Sequence, residues 1–145
     1  MAIMSVERIM SKPVVTIEPD DSLWVVKEIF DNTRFHHLLV IENGKLFGVV
    51  SDRDLLKAIS PKIGTRAETR YDKATLNKRV HQVMTRKPIT VHKNADIIEA
   101  VKLFNSHTIS CLPVVDAAMK PIGIVTWRDI LKELEAIRNR RLAKS

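Results

Sequence analysis

Apolar positions along this chain follow two periods, and the same succession of periods occurs twice. Val14-Val15-Thr16-Ile17 is β-branched and stops at Glu18-Pro19-Asp20-Asp21, which predicts a short strand followed by a turn. Leu23, Val26, Ile29 and Phe30 then recur at helical spacing, an amphipathic helix of about three turns that Asp21 or Ser22 can cap. His37 to Ile41 is an almost wholly apolar strand, Asn43-Gly44 marks a tight hairpin, and Leu46 to Val50 is the returning strand. Leu55, Leu56 and Ile59 open a second helix. The succession returns as Ile89 to Val91, then Ile97, Val101 and Phe104 on one helix face, then Cys111 to Val115 and Ile122 to Val125. A longer last helix carries Ile130, Leu134 and Ile137 until charges take over.

The repetition extends to residue types. Val6 to Leu56 returns from Val80 to Leu131, with Ile9-Met10-Ser11 answering to Val83-Met84-Thr85 and Phe30 to Phe104. The register slips by one residue where Glu42 to Lys45 meets the longer Asp116 to Lys120, after which Gly48 to Asp54 falls on Gly123 to Asp129. A duplication of this size predicts two β-α-β-β-α units that bury their apolar faces together, an α/β (α+β) fold. The expected divisions are residues 1–61, a polar and basic connector at 62–79 with a short helix near Asp72, and residues 80–145. At 145 residues the chain has the size of one ordinary domain, so neither half is expected to hold a large core alone.

Charge adds one question. Lys and Arg total 24 against 17 Asp and Glu, and they gather in the connector (Lys62, Arg66, Arg70, Lys73, Lys78, Arg79) and the tail (Arg138, Arg140, Arg141, Lys144). Nucleic acid, acidic membrane and phosphorylated small molecules all suit such a balance, but stacking aromatics are not interleaved with these runs, which favours solvated helix faces. Cys111 has no partner for an internal disulfide, and the start lacks a basic leader with an apolar core, so the expected location is cytoplasmic. Hydrolase elbows, dinucleotide and phosphate loops and zinc-protease motifs are missing from the sequence, so no enzymatic activity is expected.

Ser51-x-x-Asp54 and Thr126-x-x-Asp129 have capping-box spacing, and helix capping alone is one account of them. Gly48 and Gly123 lie inside strands, where glycine is expected if another backbone or a ligand comes close. The β-α-β-β-α unit, the Val-x-x-Ile/Val-Met-Ser/Thr opening and the closing Gly-hydrophobic-Val-Ser/Thr-x-Arg-Asp resemble the cystathionine-β-synthase (CBS) domain, which occurs as tandem pairs called Bateman modules. The resemblance covers residues 5 to 135 or so, in both copies. It implies two motifs packed about a pseudo-twofold axis, with two clefts for adenosine-containing ligands: AMP, ADP, ATP, S-adenosylmethionine or NAD, as regulatory ligands and not catalytic cofactors.

By that resemblance the acid binds ribose and the hydroxyl residue lies near phosphate, which assigns Asp54 with Ser51 and Asp129 with Thr126. The Asp54 cleft would be completed by Met84, Thr85, Ile89 and Ile109, Ser110 and Cys111. The Asp129 cleft would take Met10, Ser11, Val15 and Phe35, His36 and His37. Val49 and Ile124 of the closing strands complete the ligand-binding set. A basic residue before the strand contacts phosphate in some relatives, which would give that contact to His36 in the Asp54 cleft; Ser110-Cys111 stands there in the second copy. His36 and His37 point to opposite faces, so no metal site is expected. The functional expectation is a stand-alone regulatory module that signals to a partner through a conformational shift and forms a homodimer, with Trp24 and Trp127 on helices as packing or subunit-contact residues. Its rivals are a nucleic-acid-binding protein using connector and tail, and a structural dimer with empty clefts.

Overall fold

The computed structural model describes residues 4–144, which divide by their contacts into two units. One is continuous, Val15–Pro88; the other joins the segment ending at Val14 to the stretch that begins at Ile89. The architecture is mixed α/β, as expected, and each unit combines one copy of the repeat with the opening of the other copy.

The continuous unit contains β1 (Thr16–Ile17), α1 (Leu23–Asn32), β2 (His37–Glu42), β3 (Lys45–Ser51), α2 (Asp52–Ala58), α3 (Arg70–Ala74) and β4 (Thr85–Arg86). Its sheet runs β1-β2-β3-β4, with β1 parallel to β2 and the other pairs antiparallel. A parallel pair needs a crossover, and α1 supplies it. The hairpin between β2 and β3 turns on Asn43 and Gly44, both left-handed (φ 55° and 76°), the turn whose twist matches the strands it joins. Leu23 and Val26 of α1, Leu38 and Val40 of β2, Val50 of β3 and Leu55 of α2 meet in one core.

Three local expectations change here. The β1 ladder is confined to Thr16 and Ile17, because the chain ahead contributes only a single bond, Leu39 N–H to the Val15 carbonyl at 3.0 Å. Neither proposed cap holds α1 by its side chain: Ser22 occupies the N-cap position without a side-chain bond, and Asp21 Oδ2 instead accepts the Glu18 N–H at 2.7 Å to close the preceding turn. The connector holds the short helix expected near Asp72 and, beyond that expectation, a core residue. Thr69 and Asp72 form a reciprocal capping box that starts α3, and Leu76 is fully buried in the core.

The second unit contains β5 (Val91–His92), α4 (Ile97–Ser106), β6 (Cys111–Val115), β7 (Pro121–Thr126) and α5 (Trp127–Lys144). The sheet order is β5-β6-β7, parallel then antiparallel, so it repeats the first three strands of the other sheet. Ser11 pairs with Ile124 in an isolated antiparallel bridge, at the place that β4 holds beside β3. The extra residue of this copy is absorbed in the hairpin, where Asp116 Oδ1 accepts the Ala118 and Lys120 N–H groups, each at 2.9 Å, and Met119 turns left-handed (φ 64°). Val91, Ala100, Phe104, Leu112, Val114, Val125 and Ile130 form the core. Trp127 lies against Phe104 with ring centroids 4.9 Å apart.

The openings of the repeats are exchanged between these cores. Val80 and Met84 are buried with the first copy, Val6 with the second. Both strand glycines are explained by this exchange. A Cβ on Gly48 would stand 2.7 Å from Met84 Sδ and 2.9 Å from the Thr85 carbonyl oxygen, and one on Gly123 would lie 2.7 Å from Met10 Cγ. The close approach expected of these glycines is therefore made by a methionine of the opening motif, in both units.

Candidate functional site

Strand β3 ends at Ser51 and α2 begins at Asp52, so the register of one hairpin fixes Ser51 and Asp54 at the edge of the sheet. Ser51 N–H donates to Asp54 Oδ2 at 2.8 Å, and Asp54 N–H donates to Ser51 Oγ at 3.1 Å. This is a complete capping box, so the capping role read from the spacing is real. It occupies one carboxylate oxygen of Asp54, and both side chains remain half-buried.

The second unit builds the same corner differently. Thr126 N–H donates to Asp129 Oδ2 at 2.9 Å, and the Thr126 hydroxyl also donates to that oxygen, at 3.2 Å. The other oxygen, Oδ1, accepts the Ser11 hydroxyl at 3.0 Å, a bond across 118 residues of sequence. Among the described residues, Asp129 is thus held by three donors and Asp54 by one.

Of the residues assigned to Asp54, Met84 and Thr85 share its unit, and Thr85 pairs with Val49 in the ladder. Ile89, Ile109, Ser110 and Cys111 belong to the unit of Asp129. Of those assigned to Asp129, Met10 and Ser11 share its unit, with Ser11 against Ile124, while Val15, Phe35, His36 and His37 belong to the unit of Asp54.

His36 has a partner: its Nδ1 lies 2.9 Å from Asp52 Oδ2. Asp52 was not among the residues singled out by sequence, although a second acid beside Ser51 in the first helical turn was visible there. Burial holds the His37 imidazole below the ordinary histidine range; Asp52 opposes this, His36 adds to it and Asp54 opposes it less. Cys111, its counterpart in the repeat, is buried. Among the described residues, no three His, Cys, Asp or Glu side chains are grouped to hold a metal ion, and no helix is long and apolar enough to cross a membrane.

The pair of matched corners, each closing a strand-helix junction beside the other copy's methionine, is what the family signature describes, and the CBS domain model matches residues 6–61 and 80–136. The chain belongs to the CBS-domain family. A CBS domain-containing protein of Dictyostelium discoideum is 36% identical over 128 residues, which cover 87% of this chain and 88% of that protein. The CBS domain pair of protein MJ0100, solved in complex with 5-methylthioadenosine and S-adenosyl-L-methionine, is 28% identical with a TM-score of 0.75 over 93% of this chain and 98% of that one. CBSX2 of Arabidopsis thaliana, solved in complex with AMP, is 28% identical with a TM-score of 0.76 over 92% and 98%. CBS pairs also occur within longer relatives, and the chain spans only 24% of the inosine-5'-monophosphate dehydrogenase of Methanocaldococcus jannaschii.

Proposed function

We propose that this CBS pair is a regulatory module for an adenosine-containing ligand, with Asp54 and Asp129 accepting ribose hydroxyls and Ser51 and Thr126 lying towards the ligand's phosphate or its equivalent. The observation that carries the reading is the matched corner: in both units a half-buried acid accepts the backbone N–H of a Ser or Thr three positions earlier, at the end of the closing strand. An ionised carboxylate only accepts hydrogen bonds, which suits two hydroxyls of a ribose. Relatives at 28% identity solved with AMP or with S-adenosyl-L-methionine support the ligand class. AMP, ADP, ATP, S-adenosylmethionine and NAD share these features, and Met84 and Thr85 at the Asp54 corner and Met10 at the Asp129 corner line the ligand in this reading. His36, with Nδ1 paired to Asp52, would meet a phosphate through Nε2.

Ligand binding acts on a partner through a population shift no larger than the ligand's differential affinity for the two states. A thermal-shift panel of the five compounds tests the proposal. A ligand at about a hundredfold over its dissociation constant raises stability by about 2.7 kcal/mol, a shift of several degrees; no shift with any of them counts against the reading.

A second copy of the chain is the proposed neighbour. In the second unit, Ile98, Trp127, Leu131, Leu134 and Ile137 are exposed along α4 and α5 and line an apolar groove of about 470 Å³. Light scattering that gives one chain mass at micromolar concentration removes this part of the proposal. The nucleic-acid alternative draws less support, since several connector cations are spent internally: Lys78 Nζ on the Ala58 carbonyl at 2.7 Å, Arg79 on the Asp20 carbonyl at 3.2 Å and Lys73 near Glu68 at 3.6 Å.

A further inference from the structure

We infer that Ser11 is a positioning residue that sets the affinity of the Asp129 corner, by holding the acid in a form that must be released before a ribose can use both its oxygens. The inference rests on the adenosine reading above and concerns the regulation of that same site.

A carboxylate offers about four lone-pair positions for hydrogen bonds. Asp129 commits three of them, to Thr126 N–H, Thr126 Oγ1 and Ser11 Oγ, at 2.9, 3.2 and 3.0 Å. A ribose diol brings two hydroxyl donors, so one internal donor has to yield. The two Thr126 donors come from the last residue of β7, three positions from the acid, and share Oδ2. Ser11 is the separable one: it is exposed, sits in an isolated bridge and takes Oδ1 alone. At Asp54 the arithmetic differs. That carboxylate accepts one bond from the described residues, from Ser51 N–H, and the matching position to Ser11 is Thr85, which is paired in β4 through its backbone. Among the described residues, a hydroxyl from outside the strand-helix junction competes for the acid at the Asp129 corner.

The test is isothermal titration calorimetry of the full chain with AMP, and in parallel with S-adenosylmethionine. Asp54→Asn leaves Asp129 as the working corner, and on that background Ser11→Ala tightens AMP about two- to tenfold, the worth of one hydrogen bond. Ser11→Cys, whose thiol is a poor donor, moves in the same direction, and Ser11→Thr, which keeps the hydroxyl, restores the parent value. With Asp129→Asn as background, the same Ser11→Ala change moves the dissociation constant by less than about twofold.

Weaker binding of Ser11→Ala on the Asp54→Asn background overturns the inference, since Ser11 is then a ligand contact. An equal gain on both backgrounds, or none on either, overturns it as well while the adenosine reading stands. A parent chain that binds neither compound takes down both.

Discussion

Asp54 and Asp129 stand at the same step of the repeat, yet among the described residues one receives a single internal hydrogen bond and the other three. The residue after the capping hydroxyl differs too. In the first unit it is Asp52, paired with His36; in the second it is Trp127, packed on Phe104. Helix capping and ligand holding draw on the same carboxylate lone pairs, so neighbouring side chains can change how available the acid is without altering the motif. A duplicated signature therefore does not imply a duplicated site, and the first unit is the more polar of the two.

The largest way to separate the units is through their cores. Leu76 comes from the connector and is fully buried in the first unit. Leu76→Ala is expected to cost about 2–5 kcal/mol, read as a lower denaturation midpoint with hydrogen-exchange protection lost first around β2 and β3. Uniform loss across both units would show that they do not unfold separately.

Next come the strand glycines. A methyl group on Gly48 meets the Thr85 carbonyl, which is fixed by strand pairing, whereas the three atoms nearest one on Gly123 all belong to the Met10 side chain. Gly48→Ala is expected to cost about 2–3 kcal/mol and Gly123→Ala about 1 kcal/mol in urea denaturation. A reversed order would mean that Met10 is the more rigidly held methionine.

Smaller again is the effect of the acids on stability without ligand. Asp129→Asn turns an acceptor towards three donors into a group that also donates, for a loss of about 1 kcal/mol; Asp54→Asn loses about 0.5 kcal/mol. Equal melting temperatures for the two variants would contradict the hydrogen-bond difference between the corners.

The smallest effect is on acid sensitivity. His37 has a depressed pKa in the fold, chiefly through burial, and Cys111 stands in its place in the other unit. Below the ordinary histidine value of about 6.5 the unfolded chain takes up the proton first. The stability that neutral His37 contributes is thus present above that pH and lost as the pH falls towards the folded value. His37→Gln should flatten the decline in melting temperature between pH 7 and pH 5, and an unchanged slope would assign the decline to other groups.

The elements were largely legible, because hydrophobic period and turn chemistry are local: Asn43-Gly44, the faces of α1 and α4, and the shift at Asp116 all act within a few residues. The acids at the strand-helix corners were legible for the same reason. The exchange of Met10 and Met84 was legible only through the family resemblance, which set Met84 with Asp54 and Met10 with Asp129, because β4 is two exposed residues long and Ser11 pairs through one bridge, too little for an alternating pattern. Leu76 was hidden as a single apolar residue in a polar run. The Ser11 bond to Asp129 and the pairing of His36 with Asp52 depend on which side chains a fold brings together, and spacing does not encode that.

The methionine and glycine contacts bear on how such a chain can be divided. Each closing strand carries a glycine filled by the methionine that opens the other copy, so a polypeptide with one repeat would, in this connectivity, hold an unfilled groove and a methionine without a seat. Two such polypeptides could satisfy one another by trading openings. A nick at exposed Gly64 would leave two fragments, each contributing to both cores. The pieces would then remain associated through shared interiors, and neither would have a complete interior of its own.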